Sequence, residues 1–455
     1  MEPTRSLARF GADLTFDRLP PEVVGKAKLC VLDFLANIHG SRQLDAVAKV
    51  VEYVRSLGGP PVATAVGCGF KTGIHHAALV NGTAAEAIEA QDGLRFGGNH
   101  PGVAVIPAAL AAAESVGAGG RRLLEAIVLG YEVAGRVATA VHPRQTLAGF
   151  LPTGACGTFG AAAAVSKVLG HDAEKMLDSL GNAGFLAPMS MAEHLMGGFT
   201  AKIVQGGQAA SAGLTAAGLA GTGITGAPYV LEGSPLGGGF TQITTRGEPC
   251  SAKITDGLGE RYSILDIYFK PFAACRHTHG AAQAALELVA GEPFDQNEIE
   301  AVDVYTYGIA VVAVGKVFPE GGTFVSAQFS LPYVVATCLL DGAMGPEQLR
   351  PTRLTDPAIR KLAGRVRVHP DSGLSDRYPE FTGTRVEIAL TGGRRLVRQV
   401  DIPKGDPRAS MTTEDLTAKL YAFAAGAPAT VLDPVVDTVL RLDDLTDVRD
   451  LTRLL

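Results

Sequence analysis

PPEVVGKAKLCVLDFLANIHG, residues Pro20 to Gly40, decides how the first half of the chain is read. Two prolines open it, and proline is tolerated in a helix's first turn because the N–H it lacks would have no partner there. Val24, Ala27, Val31, Phe34, Leu35 and Ile38 then recur at three-to-four spacing, which predicts an amphipathic helix turning these residues to a core. HHAALVNGTAAEAIEA, PGVAVIPAALAAAESVG and LLEAIVLGYEVAGRVATAV keep the same period. No stretch before about Gly221 alternates as a strand would, so this half reads as a helical domain.

After Lys270 the texture changes. IEAVDVYTYG and RVRVHP alternate like strands, and VEIALTGGRRLVRQVDI reads as strand, Gly-Gly turn and strand. GAAQAALELVAG and FSLPYVVATCLLDG lie between them as helices. TTEDLTAKLYAFAAG is helical again, with a Thr-x-x-Asp start. The expected fold is therefore mainly α. A large all-helical domain, 1–265 plus 408–455, carries a smaller α+β domain, 266–407, inserted before the C-terminal helices.

The 455 residues are 47% hydrophobic but only 6% aromatic, with 56 glycines and no tryptophan, so small side chains must let helices approach closely. A net charge of −6 without a basic run argues against a nucleic-acid partner. The six cysteines are scattered with no Cys-x-x-Cys, as suits free thiols in a reducing compartment. MEPTRSLARFGADLTF has no apolar core of a secretory signal. The uncharged runs Gln145–Ser166 and Ile203–Leu231 are too rich in Gly, Ala and Thr for membrane spans. A cytoplasmic protein without a membrane partner is expected.

FKPFAACRHTHG, residues 269–280, concentrates the chemistry. Cys275, His277 and His279 would share a face only in an extended strand, and the helix expected from Thr278 breaks that face. No second ligand cluster has zinc spacing, and His75-His76 is a pair on a helix, so no metal is expected. GCGFKTG, Gly67–Gly73, lacks the Gly-Lys-Ser/Thr order of a phosphate loop and reads as a plain turn. No Gly-x-Ser-x-Gly elbow supports a serine hydrolase.

Asn99-His100-Pro101 stands ahead of an apolar helix, where free N–H groups favour an anion. Glu86, Glu89 and Asp92 lie just upstream at helical spacing. A capped helix and a solvated face explain both plainly. Functionally, Glu89 or Asp92 would orient His100 for proton transfer, and the opposing pulls of helix dipole and carboxylates predict a pKa near neutrality. Lys202, the only Lys, Arg, Asp or Glu between Glu193 and Glu232, either reaches out to solvent or binds a carboxylate. Lys270 has the same two readings.

Taken together, VNGTAAEAIEAQDG with NHPG, FLPTGACGTFGAAAA, TAKIVQGGQAA, VLEG, FKPFAACRHTHGA, SAQFSLPYVVATCLLDG and IPKGDPRASMTTEDL resemble the MmgE/PrpD family across nearly the whole chain. The resemblance implies a helical domain with an α+β lid, an active site in the cleft between them, and a homodimer. It also implies cofactor-free dehydratase, decarboxylase or epimerase chemistry on di- or tricarboxylates. His100 matches the family's histidine after the acidic motif, and Lys202 and Lys270 match its substrate-binding lysines.

The chain also departs from that pattern. Asp-Phe-Asp-Asp is here Glu89-Ala90-Gln91-Asp92, and Leu151, Gln205 and Cys275 replace histidines. Ser211 replaces an arginine, and the polar pair before Phe-Ser is reduced to Ser326 and Gln328. Such a pocket should bind fewer carboxylates or a different acid, with Arg95 and Arg276 compensating and His277 also facing substrate. The expectation is a cofactor-independent lyase acting on a small carboxylic acid. An epimerase or isomerase, or a catalytically silent acid-binding protein, are the alternatives. Lysine variants are expected to fold normally.

Overall fold

The computed structural model describes residues 2–247, 249–291, 293–424 and 426–455. The opening stretch forms one helix, Pro21–Ser41, with proline at its first position. Ala27, Val31, Phe34, Leu35 and Ile38 are buried as the period requires. Val24 is only partly buried and Val23 takes the core position instead, because the apolar stripe runs through 23, 27, 30, 31 and 34.

The helices Ile74–Ala87, Gly102–Val116 and Gly120–Val141 pack on it, and Pro152–Leu169 and Gln205–Gly221 pack on these in turn. Small residues set their spacing. A Cβ at Gly130 would meet Val105 Cγ1 at 2.4 Å and the Gly160 carbonyl at 2.9 Å. One at Gly82 would lie 2.6 Å from Gly207 Cα, so only glycine lets the Ile74–Ala87 helix press against the start of Gln205–Gly221. That contact brings Glu86 beside Gln205.

The first half is not wholly helical. Strands β1 (Ala63–Ala65) and β2 (Phe70–Thr72) form a hairpin whose turn holds Gly67 and Gly69 at φ +69° and +71°. The Gly67–Gly73 stretch is thus the turn and second strand ahead of a helix. Strand β3 (Gly93–Leu94) pairs antiparallel with β4 (Ile267–Tyr268), tying the loop before His100 to the segment before Lys270. Strands of two or three residues are too short to display a period of two, which is why they escaped the sequence.

Strands β5 (Ile299–Thr306), β6 (Val366–Pro370), β7 (Thr384–Leu390) and β8 (Arg395–Val400) form one sheet in the order β6-β5-β7-β8. The β5–β6 pair is parallel and the others antiparallel. The β7–β8 turn places Gly392 and Gly393 at φ +86° and +84°, as the Gly-Gly reading required. Helices His279–Gly291 and Leu331–Asp341 pack with this sheet. The Thr413–Phe423 helix opens with a capping box between Thr412 and Asp415 and lies on Pro21–Ser41. There Lys419 donates to Asp33 Oδ1 at 2.6 Å and to the Ala90 carbonyl at 2.7 Å. No helix among the described residues is long and apolar enough to cross a membrane.

Candidate active site

The Ile74–Ala87 helix stops just short of Glu89, whose φ is +56°. Left-handed backbone at a helix end usually belongs to glycine and costs another residue about 1–2 kcal/mol. Lys270, two residues after β4, holds it there by donating to the Glu89 carbonyl at 3.0 Å and to Oε1 at 2.7 Å. Lys202, on the Thr200–Val204 turn, donates to Glu89 Oε2 and lies 3.1 Å from Glu86 Oε1. Glu86 also accepts from Gln205 Nε2 at 2.6 Å and from the Gly206 amide at 2.9 Å. All four charged side chains are buried.

His100 stands at the edge of this cluster. Its Nε2 is 3.7 Å from Glu89 Oε1, its amide donates to Thr153 Oγ1 at 3.1 Å, and Nδ1 lies 2.6 Å from the Asp92 carbonyl. The Asp92 carboxylate points elsewhere, accepting from Tyr131 at 2.6 Å and from the Gly102 amide at 3.2 Å. Asp92 therefore meets the ring through its main chain, and the acidic side chain beside His100 is Glu89. Gly93 makes room, since a Cβ there would fall 2.4 Å from the Tyr268 hydroxyl and 2.8 Å from His100 Nδ1.

The electrostatics follow from burial and pairing. Burial, with Lys270 close by, lowers the His100 pKa to about 3, against the pull of Glu89. This corrects the expectation of a near-neutral value: the carboxylate is there, but burial outweighs it and Lys270 and Lys202 add to the fall. Burial alone would raise Glu89, yet Lys202 and Lys270 together hold it well below the usual carboxylate range. Burial opposes charge on Lys202 too, and Glu89 and Glu86 outweigh it, holding the ammonium above its ordinary range. Burial, reinforced by Asp33, lifts Asp92 to about 7.

Across the cleft, Cys275 begins a short turn and its thiol is pushed by burial up to about 11. His277 Nδ1 is 2.6 Å from the Tyr307 hydroxyl, and the Tyr307 ring stacks on Tyr378 at 4.8 Å. Burial lowers His277 to about 4. His279 is fully buried, its Nε2 3.1 Å from the Ala274 carbonyl, so the Cys-x-His-x-His face is broken as expected. Arg95 bridges to Asp406 at 2.7 Å. Arg276 donates to the Pro403 and Lys404 carbonyls at 2.9 and 2.8 Å.

A cleft of about 250 Å³ gathers Glu89, Arg95, His100, Leu151, Lys202, Gln205, Cys275, Arg276 and His277 on one wall set. Lys270 and Asp92 lie behind it. Lys270 meets Glu89 rather than the open space. The reading missed Tyr307, Tyr378 and Asp406. Asp406 sits in the quoted IPKGDPRAS segment, while Tyr307 had no local signal beyond its place at the end of β5. Among the described residues, no group of three or more His, Cys, Asp or Glu side chains lies placed to hold a metal ion.

Residues 5–252 match the MmgE/PrpD N-terminal domain and residues 272–433 the MmgE/PrpD C-terminal domain. Cis-aconitate decarboxylase from Mus musculus is 28% identical, the alignment covering 99% of this chain and 93% of the mouse protein. The Aspergillus terreus enzyme of that name is 27% identical over 99% and 95%. The Homo sapiens enzyme is 30% identical over 84% and 79%. With the mainly helical fold, these similarities make the protein a lyase. The chain belongs to the MmgE/PrpD family.

Proposed function

We propose that the cleft receives the carboxylate of a small acid on Lys202 and moves a proton at the neighbouring carbon through His100, in a dehydration or decarboxylation that needs no cofactor. The tautomer at His100 carries this reading. The Asp92 carbonyl can only accept, so Nδ1 holds the hydrogen and Nε2 keeps its lone pair on the cleft side. A substrate carboxylate arriving beside Lys202 adds negative charge near the ring and raises its basicity when it is needed. Glu89, 3.7 Å from Nε2, favours the imidazolium that results. Lys270 acts through Glu89 as a positioning residue.

In a dehydration, His100 takes the proton next to the carboxylate, the electron pair forms the double bond, and the hydroxyl leaves as water with that proton. In a decarboxylation the carbon–carbon bond breaks, carbon dioxide leaves, and a proton that His100 Nε2 has taken from water as substrate binds passes to the electron pair left behind. His277 supports either course. The buried Tyr307 hydroxyl has His277 Nδ1 as its hydrogen-bond partner among the described residues, so it donates there and leaves Nε2–H to face developing negative charge.

An epimerase is the second reading. Cys275 favours it, as a protonated thiol on the cleft wall could return a proton to the opposite face of the same carbon. We place the body at 1–265 plus 408–455 with 266–407 as its lid, working as a cytoplasmic homodimer, as the family resemblance implies.

The test is incubation in D2O with a panel of small carboxylic acids, following released carbon dioxide, new carbon–carbon double bonds and deuterium in recovered acid. Loss of carbon dioxide or water supports the lyase. Deuterium in the acid or its epimer, without either loss, supports the epimerase. Acids that bind and emerge unchanged contradict both.

A further inference from the structure

Four tyrosines are buried among the described residues, and three of them use their hydroxyls inside the fold. Tyr131 donates to Asp92 Oδ2, Tyr333 to the Gln348 carbonyl and Tyr307 to His277 Nδ1, each at 2.6 Å. Tyr268 is the exception. It is 8% exposed, and its hydroxyl makes no hydrogen bond with any described residue, yet the oxygen is not sealed off from solvent. The cleft is what opens it, for Tyr268 shares that wall with His100, Glu89 and Cys275. A buried hydroxyl without a partner costs free energy, so a ligand atom explains this one better than the fold does.

Its neighbours fix its place. The β3–β4 pairing sets Tyr268 opposite Gly93. A Cβ at Gly93 would fall 2.4 Å from the hydroxyl oxygen and 2.8 Å from His100 Nδ1, so both atoms flank one small gap. The His100 and Tyr268 rings meet edge to face, centroids 6.5 Å apart. Over the Tyr268 ring lies the Arg276 guanidinium, 4.9 Å from its centre and held by the Pro403 and Lys404 carbonyls. A cation there draws electron density from the phenol and makes the hydroxyl a stronger donor. Burial raises the Tyr268 pKa against the pull of Arg276, and Cys275, Glu89 and Asp92 add to the rise. The group therefore stays protonated.

We propose that Tyr268 is a further catalytic residue, its hydroxyl donating to the substrate oxygen that gathers negative charge beside the carbon where His100 moves the proton. This rests on the reading of His100 given above. The bond strengthens as that oxygen becomes more basic, so it lowers the barrier more than it improves binding. The phenolic hydrogen is shared and never transferred, and the tyrosine ends each turnover as it began.

The test compares the wild type with Tyr268→Phe and Tyr268→Leu. Phenylalanine keeps the ring between His100 and Arg276 and removes only the hydroxyl, so its denaturant midpoint should match or exceed that of the wild type. With the acid that the D2O panel shows to be turned over, Tyr268→Phe should lower kcat about a hundredfold and leave KM little changed. A wild-type kcat in Tyr268→Phe, with only Tyr268→Leu impaired, overturns the proposal and leaves the ring as a prop for His100. A lowered midpoint in Tyr268→Phe overturns it too, by giving the hydroxyl a partner in the fold. Calorimetry with 1-nitropropane, added as its nitronate, needs no turnover. The nitronate matches butyrate closely in shape and charge, but its oxygens are far more basic. Tyr268→Phe should weaken nitronate binding about tenfold or more, and butyrate binding less. Equal losses, or a nitronate that the wild type does not bind, overturn the proposal. A selective loss of nitronate binding in a protein that turns over no acid would defeat only the lyase reading.

Discussion

Lys270 reaches Glu89 twice, donating to its carboxylate at 2.7 Å and to its main-chain carbonyl at 3.0 Å. One side chain thus fixes both the left-handed backbone of Glu89 and the direction of its carboxylate. The carboxylate in turn meets Lys202 and faces His100. Positions of cation, anion and imidazole are set together, before any substrate arrives.

Removing Lys270 should therefore cost stability as well as rate. Lys270→Met leaves Glu89 buried with one ammonium instead of two and frees its strained backbone. Breaking a buried ion pair typically costs about 3–5 kcal/mol. Denaturant unfolding should show a loss of that size, and an unchanged midpoint and slope would contradict the network described.

Glu89 and Asp92 should behave differently although both are buried acids beside His100. Asp92→Asn keeps the main-chain carbonyl that sets the His100 tautomer, and its amide oxygen can still accept from Tyr131 or Gly102. It should change turnover only a few-fold. Glu89→Gln removes the charge that favours the imidazolium and should lower kcat by about a hundredfold or more. Equal effects would mean that Asp92 acts through its carboxylate.

The pH dependence separates free enzyme from complex. With the His100 pKa near 3 in the free protein, kcat/KM should show no ionisation of this ring between about pH 5 and neutrality. Substrate charge raises the ring's pKa, so kcat should show a limb displaced upward. A shared limb near pH 6.5 in both would contradict this.

Stability follows the same sign. His100, His277 and His142 all have depressed values, about 3, 4 and 4, so the unfolded chain binds more protons below its histidine pKa of about 6.5. Their contribution is complete above that pH and drains away as pH falls toward 3. Thermal unfolding temperatures should drop across that window, less steeply in His277→Asn.

Much of the fold was legible because its helices are long. Pro21–Ser41 runs for 21 residues, enough for the apolar period to declare itself despite a one-place slip at Val23 and Val24. The β3–β4 pair has two residues a side and shows no period, yet it brings the loops of His100 and Lys270 together. The site residues were recognisable by type and by their resemblance to a family pattern, but their partners were not. Glu89 and Lys270 stand 181 positions apart, so nothing local said that the lysine would face a carboxylate of its own chain. The same blindness misplaced the His100 pKa: the sequence shows the neighbouring acids and hides both the burial of the ring and the cations that fold in beside it. Tyr307, which sets His277, is likewise a contact made only by folding.

The proton-transfer role of His100 is tested most directly by turnover of His100→Gln at saturating substrate. Glutamine keeps much of the size and some hydrogen bonding but cannot carry a proton between substrate and product. The account predicts a fall in kcat of about a hundredfold or more, with KM little changed. A kcat near that of the wild type with a raised KM would contradict it, making His100 an anchor for the acid and moving proton transfer to Cys275 or His277.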